Sequence, residues 1–359
     1  MPTVRMYLRF SFTERAKMTK RIKYGLLATG GVCVVAAILL YALWQGFIGS
    51  HFETEETAYV YVRPEDDAAS VRQQLVALGG SNTGFYWRVA NWIRPYEPRT
   101  GRYAIEPGQS FLVTYLHLQR GHQTPVKLTI PSVRTLERLA GFLSHKLMLD
   151  SAATATAFYD STFAATYGYN TATLPALFIP NTYELYWDAS IETFMRRMQR
   201  ENKRFWQQDN RLQQAQAIGM TPEEVVTLAS IVDEETANNA EKPRVAGLYV
   251  NRMQKGIPLQ ADPTVKFAVG NEALRRIVGE HLKVNSPYNT YIYKGLPPGP
   301  IRIPTVAGID AVLHYEHHNY LYMCAKEDFS GFHNFAASFA EHKQNARKYQ
   351  RALNARGIK

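Results

Sequence analysis

Residues Tyr24 to Ser50, YGLLATGGVCVVAAILLYALWQGFIGS, run for 27 positions without a charge. Nothing else in the chain restricts its fold as strongly, because about 20 apolar residues suffice for a helix to cross a bilayer. Tyr41 and Trp44 lie near one end, as interfacial aromatic rings do. Ahead of the run, residues 1–24 carry seven Lys and Arg against Glu14 alone; behind it come His51, Glu53, Glu55 and Glu56. The cytoplasmic bias of Lys and Arg predicts a basic cytoplasmic tail over 1–23 and a single transmembrane helix over 24–48. Everything beyond Ser50 is then outside the cytoplasmic (inner) membrane, on its periplasmic side. A cleaved signal peptide is the competing reading, but the run is long for one and no clear small-x-small site follows.

Where the charge sits settles a second question. The formal net charge of +10 suggests nucleic-acid binding until +6 of it is found in the N-terminal flank, so no nucleic acid is expected as a partner. Cys33 lies inside the apolar run and Cys324 far from it, which gives no disulfide framework. With 46% apolar and 20% charged residues, the exported part is expected to fold around its own cores, and the length suggests two domains.

The patterning predicts an α+β protein. In TAYVYVR (57–63) apolar and polar residues alternate as in a strand; helices follow over 66–80 and 83–94; GRYAI (101–105) is a strand, GQSFLVTYLHLQRG a helix and PVKLTI (125–130) a strand. This small unit, 52–130, has the flavour of a LysM-like module, carried by GRYAI, a helix, then LQRG before a strand. A plain spacer fits the same pattern. A larger mixed α+β domain, 131–359, is expected to hold the chemistry. Its features include one helical stretch over 151–168, a long helix after LFIPNTYELYWD, and a loop-rich section from Ile257 to Thr305 with seven prolines. Two strands (NYLYMCA and FHNF) and a basic terminal helix close the chain.

The acid run Asp233-Glu234-Glu235 is the feature with chemical content. Thr221-Pro222-Glu223-Glu224 is a helix start with a capping box. At about 100° per residue from Val225, the apolar arc runs from roughly 240° through zero to about 40°. Asp233 falls at its rim near about 80°, Glu234 faces solvent near about 180°, and Glu235 falls near about 280°, among the core residues. A carboxyl against apolar walls has a raised pKa and can deliver a proton to a leaving oxygen. A structural acid bridged to Arg244 or Arg252 explains the same position, and periodicity leaves both readings open. The histidines His314, His317, His318, His333 and His342 match no metal-ligand spacing, so no metal is expected.

Four blocks in this order, LASIVDEET, VAGLYVNRMQKGIPLQADPTV, SPYNTYIYKGLPPGPI and FHNFAASFAEHKQN, resemble the YceG-like family over roughly residues 130–350. The resemblance implies a membrane-anchored lytic transglycosylase, a carbon–oxygen lyase that cuts the MurNAc–GlcNAc bond of nascent peptidoglycan strands, leaves 1,6-anhydro-MurNAc ends and terminates glycan elongation. It implies no cofactor, and peptidoglycan strands and peptidoglycan synthases as partners. Its catalytic glutamate corresponds to Glu235, and it places a histidine, here His333, near the cleft. Two departures stand out: Asp233 where the family often has Glu, and Asn181 in PNTY where it has Asp. As a sugar groove, the loop blocks offer Tyr288, Tyr291 and Tyr293 as flat faces and Gln260, Asp262, Asn289 and Asn334 as hydrogen-bonding groups. Two rival activities are a hydrolytic muramidase, with Asp262 as second carboxylate, and a non-catalytic peptidoglycan-binding scaffold.

Overall fold

The structure is a computed structural model that describes residues 12–49, 51–271, 274 and 277–357. The first eleven residues of the expected cytoplasmic tail lie outside the described residues. The chain divides into two units, Met1–Thr124 and Pro125–Lys359.

In the first unit, α1 (Phe12–Ile48) is one unbroken helix, and its Lys20–Ile48 part is long and apolar enough to cross a membrane. β1 (Ala58–Val62) leads into α2 (Ala68–Gly79) and α3 (Ser81–Ile93), and the chain returns along β2 (Gly101–Ile105), antiparallel to β1 with Ala58 opposite Ile105. Strand alternation turns Val60, Val62, Tyr103 and Ile105 inward. Asp67 starts α2 by accepting the Ser70 N–H, and Ser110 starts α4 (Phe111–Arg120) by accepting that of Val113. Phe111, Tyr115 and Leu118 of α4 complete the core with Trp87 of α3.

The strand expected to close this unit belongs to the other. β3 (Val126–Thr129) pairs with β4 (Thr182–Leu185), Val126 opposite Leu185. β4 is four residues long, too short for alternation to reveal it between Asn181 and Tyr186. Against this pair pack α5 (Leu136–Lys146), α6 (Ser151–Tyr159), α7 (Ser161–Thr166) and α8 (Ile191–Gln207), around Leu128, Leu139, Leu143, Phe158, Phe178 and Phe194. The stretch expected to be helical over 151–168 is so, as two helices, because the Asp160 carboxylate accepts the Phe163 N–H and restarts the chain as α7.

After α9 (Arg211–Ala217), a second core forms around α10 (Pro222–Glu235), with the predicted capping box between Thr221 and Glu224. α11 (Lys242–Gln254), α12 (Asp262–Val269) and α13 (Val306–Leu313) contribute to this core. The hairpin of β5 (Tyr322–Ala325) and β6 (His333–Ala336) follows, then α14 (Phe339–Ala355). α12 interrupts the section expected to be loop; Pro263 fits its first turn, where a missing N–H does no harm.

One contact ties α10, α11 and α13 together. Asp233, expected at the rim of the apolar arc, has a side chain only 2% exposed and pairs with Lys242 Nζ at 2.8 Å. It also accepts the Thr305 N–H at 2.6 Å and the Thr305 hydroxyl at 3.2 Å. Gly308 makes room: a methyl there would stand 2.4 Å from Asp233 Oδ1. Breaking a buried pair from one side strands a charge, which costs about 3–5 kcal/mol. Lys242→Met should therefore lower stability by about that amount. The double variant Asp233→Asn/Lys242→Met should recover much of the loss. Denaturant titration of the detergent-solubilised chain measures both, and equal losses in the single and double variants would show that the pair does not couple.

Candidate active site

Glu235 is the last residue of α10, and α10 stops there because Thr236 turns to extended backbone. Its carboxylate accepts the Tyr249 hydroxyl of α11 at 2.6 Å. Both line a cleft of about 350 Å³. Leu248 and Arg252 of α11, Gln260, Asp262 and Tyr291 from the proline-rich section, and Tyr322, Cys324, His333 and His342 from the C-terminal region form the other walls.

The alternatives that periodicity left open are separated here. Arg244 pairs with Glu316 at 2.9 Å. Arg252 donates to the carbonyls of Pro258 and Leu321 and to Gln260 Oε1 at 2.5 Å. Glu235 is thus held by a neutral phenol. Burial pushes its pKa up to about 7; the Tyr249 hydrogen bond and nearby His333 pull it down, while Asp262 and Glu234 push it further up. The cleft's opening to solvent tempers the burial. Tyr249, buried and beside a carboxylate, is pushed well above the usual tyrosine range, so it remains a hydrogen-bond donor at all ordinary pH.

Glu234, expected to face solvent, does not. Its side chain is 9% exposed and is gripped by Arg134 at 2.6 Å and Arg302 at 3.0 Å. A helical wheel sees only one helix, and these arginines lie far from α10 in sequence.

The cleft gathers four of the candidate sugar-contacting residues and leaves three outside. Gln260, Asp262, Tyr291 and His333 join Glu235. Tyr291 donates to Asp262 Oδ1 at 2.6 Å. Gln260 takes a left-handed backbone (φ 53°), an unfavourable conformation for a residue with a side chain. Tyr288 instead packs on Phe267 and lines a separate, more apolar hollow of about 480 Å³ with Arg134 and Glu234. Asn289 is fully buried, its amide donating to the carbonyls of Leu282 and Val284, so it shapes the loop from inside. Asn334 donates to Glu327 at 2.8 Å and does not line the cleft. Two further residues named from the sequence also lie apart: Tyr293 is exposed and donates to Asn285, and the side-chain Oδ1 of Asn181 accepts the Thr182 N–H.

Sequence reasoning missed Tyr249 and Glu241. Glu241 is buried and accepts both the backbone N–H of His333 and its Nδ1 at 2.8 Å. That grip sets the imidazole's orientation and leaves Nε2 for the cleft. Tyr249 stands in a quoted family block, but nothing in its spacing marks it as a partner of Glu235. Chemically, the arrangement offers a carboxyl poised between its two protonation states, a fixed phenol donor, an oriented imidazole and a second carboxylate held by Tyr291.

Comparison with known proteins agrees with this fold. Over 130 residues, 36% of this chain, it is 37% identical to a Bacillus subtilis (strain 168) protein named endolytic murein transglycosylase, and the match spans 35% of that protein. A protein of the same name from Streptococcus pneumoniae serotype 2 (strain D39) is 32% identical over 110 residues, spanning 20% of its length. The chain therefore spans about a third or less of the length of these curated relatives. The 2.6 Å crystal structure of a yceG-like protein from Listeria monocytogenes superposes with a TM-score of 0.54 at 24% identity, covering 81% of this chain and 99% of that one. The sequence model of the YceG-like family matches residues 60–348, and the chain belongs to that family.

Proposed function

We propose that this chain is a membrane-anchored lytic transglycosylase that cuts peptidoglycan glycan strands from within. The observation that carries the reading is Glu235: a carboxyl in a cleft, hydrogen-bonded by a phenol, with its pKa raised to about 7. The names of the relatives supply the substrate class. The anchor is α1, with residues 51–359 on the periplasmic side of the inner membrane, and peptidoglycan synthases are the expected partners. The strand–helix–helix–strand order of the first unit supports its reading as a LysM-like, glycan-docking module.

In this mechanism protonated Glu235 gives its proton to the glycosidic oxygen as the bond from C1 of MurNAc to that oxygen breaks. The resulting carboxylate then takes the proton of the MurNAc 6-hydroxyl as O6 closes on C1. No water is consumed, and Glu235 ends protonated. A pKa near the working pH suits a group that must do both. The oxocarbenium-like centre at C1 is cationic, and Asp262, in the same cleft, adds a negative charge. Asp262 also supports the rival reading, in which it serves as second carboxylate of a hydrolase.

Glu235→Gln keeps the shape and removes the proton, so the rate of anhydro-end formation should fall about 10²–10⁴-fold. The test is digestion of purified glycan strands by the full chain in detergent, with the masses of the new ends. Ends heavier by one water would establish hydrolysis instead, and turnover near wild type in Glu235→Gln would remove this residue from the mechanism. Stability carries the same signature. Because its native pKa is raised above the unfolded value of about 4.3, Glu235 favours folding fully below that pH. This contribution is lost as pH rises toward about 7, on the order of 3 kcal/mol in all. Denaturation midpoints measured across this range should show that slope in wild type and its loss in Glu235→Gln.

The neighbours of Glu235 should move the pH profile in opposite directions. Tyr249→Phe removes a hydrogen bond that favours the carboxylate, so the alkaline limb should shift to higher pH. Asp262→Asn removes a repelling charge, so that limb should shift to lower pH while anhydro ends persist. Complete loss of cleavage in Asp262→Asn, with the fold intact, would favour the two-carboxylate hydrolase.

A further inference from the structure

Among the described residues, the outer face of α3 carries large apolar side chains that stand exposed. Phe85, Val89 and Trp92 recur at the i, i+4, i+7 spacing of one helix face, with Ile93 beside them. Trp92 is 85% exposed and Ile93 69%. The opposite face, through Gly84, Trp87 and Ala90, is the buried one. Exposed single apolar residues are ordinary, but a strip ending in the most exposed Trp of the unit is not.

The position of the strip says what meets it. Phe47, in the last turn of α1, packs edge-on against Tyr86 of α3 at 5.1 Å and against Phe111 at 5.6 Å. His51 continues the cluster, with its ring 5.3 Å from that of Tyr86. Gly46 lets α3 come this close: a methyl on it would stand 1.9 Å from the Tyr86 hydroxyl. Tyr86 is the neighbour of Phe85, and their rings touch at 5.6 Å. The strip therefore begins where α1 ends. The apolar segment Lys20–Ile48 has 29 residues, or about 44 Å of helix, which matches a bilayer including its headgroup layers, about 40–45 Å. With Lys20 and Lys23 at one headgroup layer, Phe47 emerges in the other. Trp44 and Tyr41 lie below it, in the interfacial position such rings prefer. Arg88 and Arg94, both exposed, flank the strip with positive charge that suits lipid phosphates.

We infer that α3 is a second membrane contact: its Phe85–Val89–Trp92–Ile93 face lies in the headgroup layer of the outer leaflet, with Arg88 and Arg94 on anionic lipid. The inference rests on α1 being a retained membrane anchor. Together the two contacts clamp the first unit at the surface; the span alone would leave it free to tilt. A glycan strand is the competing occupant, since aromatic faces also stack on sugars, but Ile93 and the arginines favour lipid.

The test uses the full chain in liposomes of three parts zwitterionic to one part anionic phospholipid. A fluorophore is placed by Trp92→Cys in a Cys33→Ser/Cys324→Ser background, and in a second sample by Glu65→Cys. Glu65 is 70% exposed in its side chain and lies beyond the far end of β1. Lipid-borne nitroxide should quench the label at 92 several-fold more than that at 65, and aqueous iodide should do the reverse. Arg88→Glu/Arg94→Glu should lower the quenching at 92 toward that at 65. Equal quenching at both sites, in chain that resists alkaline carbonate extraction, overturns the contact while the anchor stands. Extraction of the chain by carbonate overturns the anchor, and this inference with it. Protection of the label at 92 by glycan strands and not by lipid assigns the face to sugar.

Discussion

Three carboxylates follow one another at the C-terminal end of α10, where the helix already concentrates partial negative charge on its unpaired carbonyls. Left alone, that end would be unstable, and much of the second core answers to it. Asp233 is neutralised by Lys242 and tied to Thr305, so α11 and α13 are drawn onto α10. Glu234 is neutralised by Arg134 and Arg302, which brings the chain after β3 and the proline-rich section to the same point. Among the described residues Glu235 forms no ion pair; the Tyr249 phenol holds it, with His333 nearby. Of three similar side chains, the one without an ion pair is the one that still carries a proton to give near neutral pH.

The section between Ile257 and Thr305 acts as the wall of the cleft because it is anchored at many points. Ser230 of α10 accepts the Ile301 N–H at 3.0 Å, Thr290 holds the Ala261 N–H, and Asn289 braces the loop from inside. Prolines limit the unfolded chain as well as the folded one, so an irregular segment can be rigid without regular hydrogen bonding. On the opposite wall, Glu241 fixes His333 from a position just before α11. Groups from four separate stretches of chain therefore meet at fixed positions, the condition for a proton transfer that does not wait on side-chain rearrangement.

The apolar run, the helix caps and the phase of Glu235 on α10 were legible because each depends on residues a few positions apart. The capping box of Thr221 and Glu224 stands where local chemistry places it. Long-range pairing was not legible. Glu234 looks solvated on a wheel because its arginines are 100 and 68 residues away. β3 read as part of the first unit because β4, its partner, lies beyond three helices. Asn289 and Tyr288 have the right chemistry for sugar, but a sequence does not say whether an amide turns toward a cleft or toward its own loop. Tyr249 escaped notice for the same reason: a tyrosine on an apolar helix face reads as core, which it also is.

Gln260 keeps an unfavourable backbone that a glycine would adopt freely, and its amide oxygen is what Arg252 reaches for. Shape economy alone would have put glycine there. Without the amide, the Arg252 guanidinium would keep the carbonyls of Pro258 and Leu321 but lose the partner of its third nitrogen, in a cleft it shares with Glu235, and an Arg beside an acid holds it ionised. The left-handed turn at 260 thus works as a tether: local strain holds one nitrogen of the guanidinium on the amide oxygen, and Glu235 is left to its phenol.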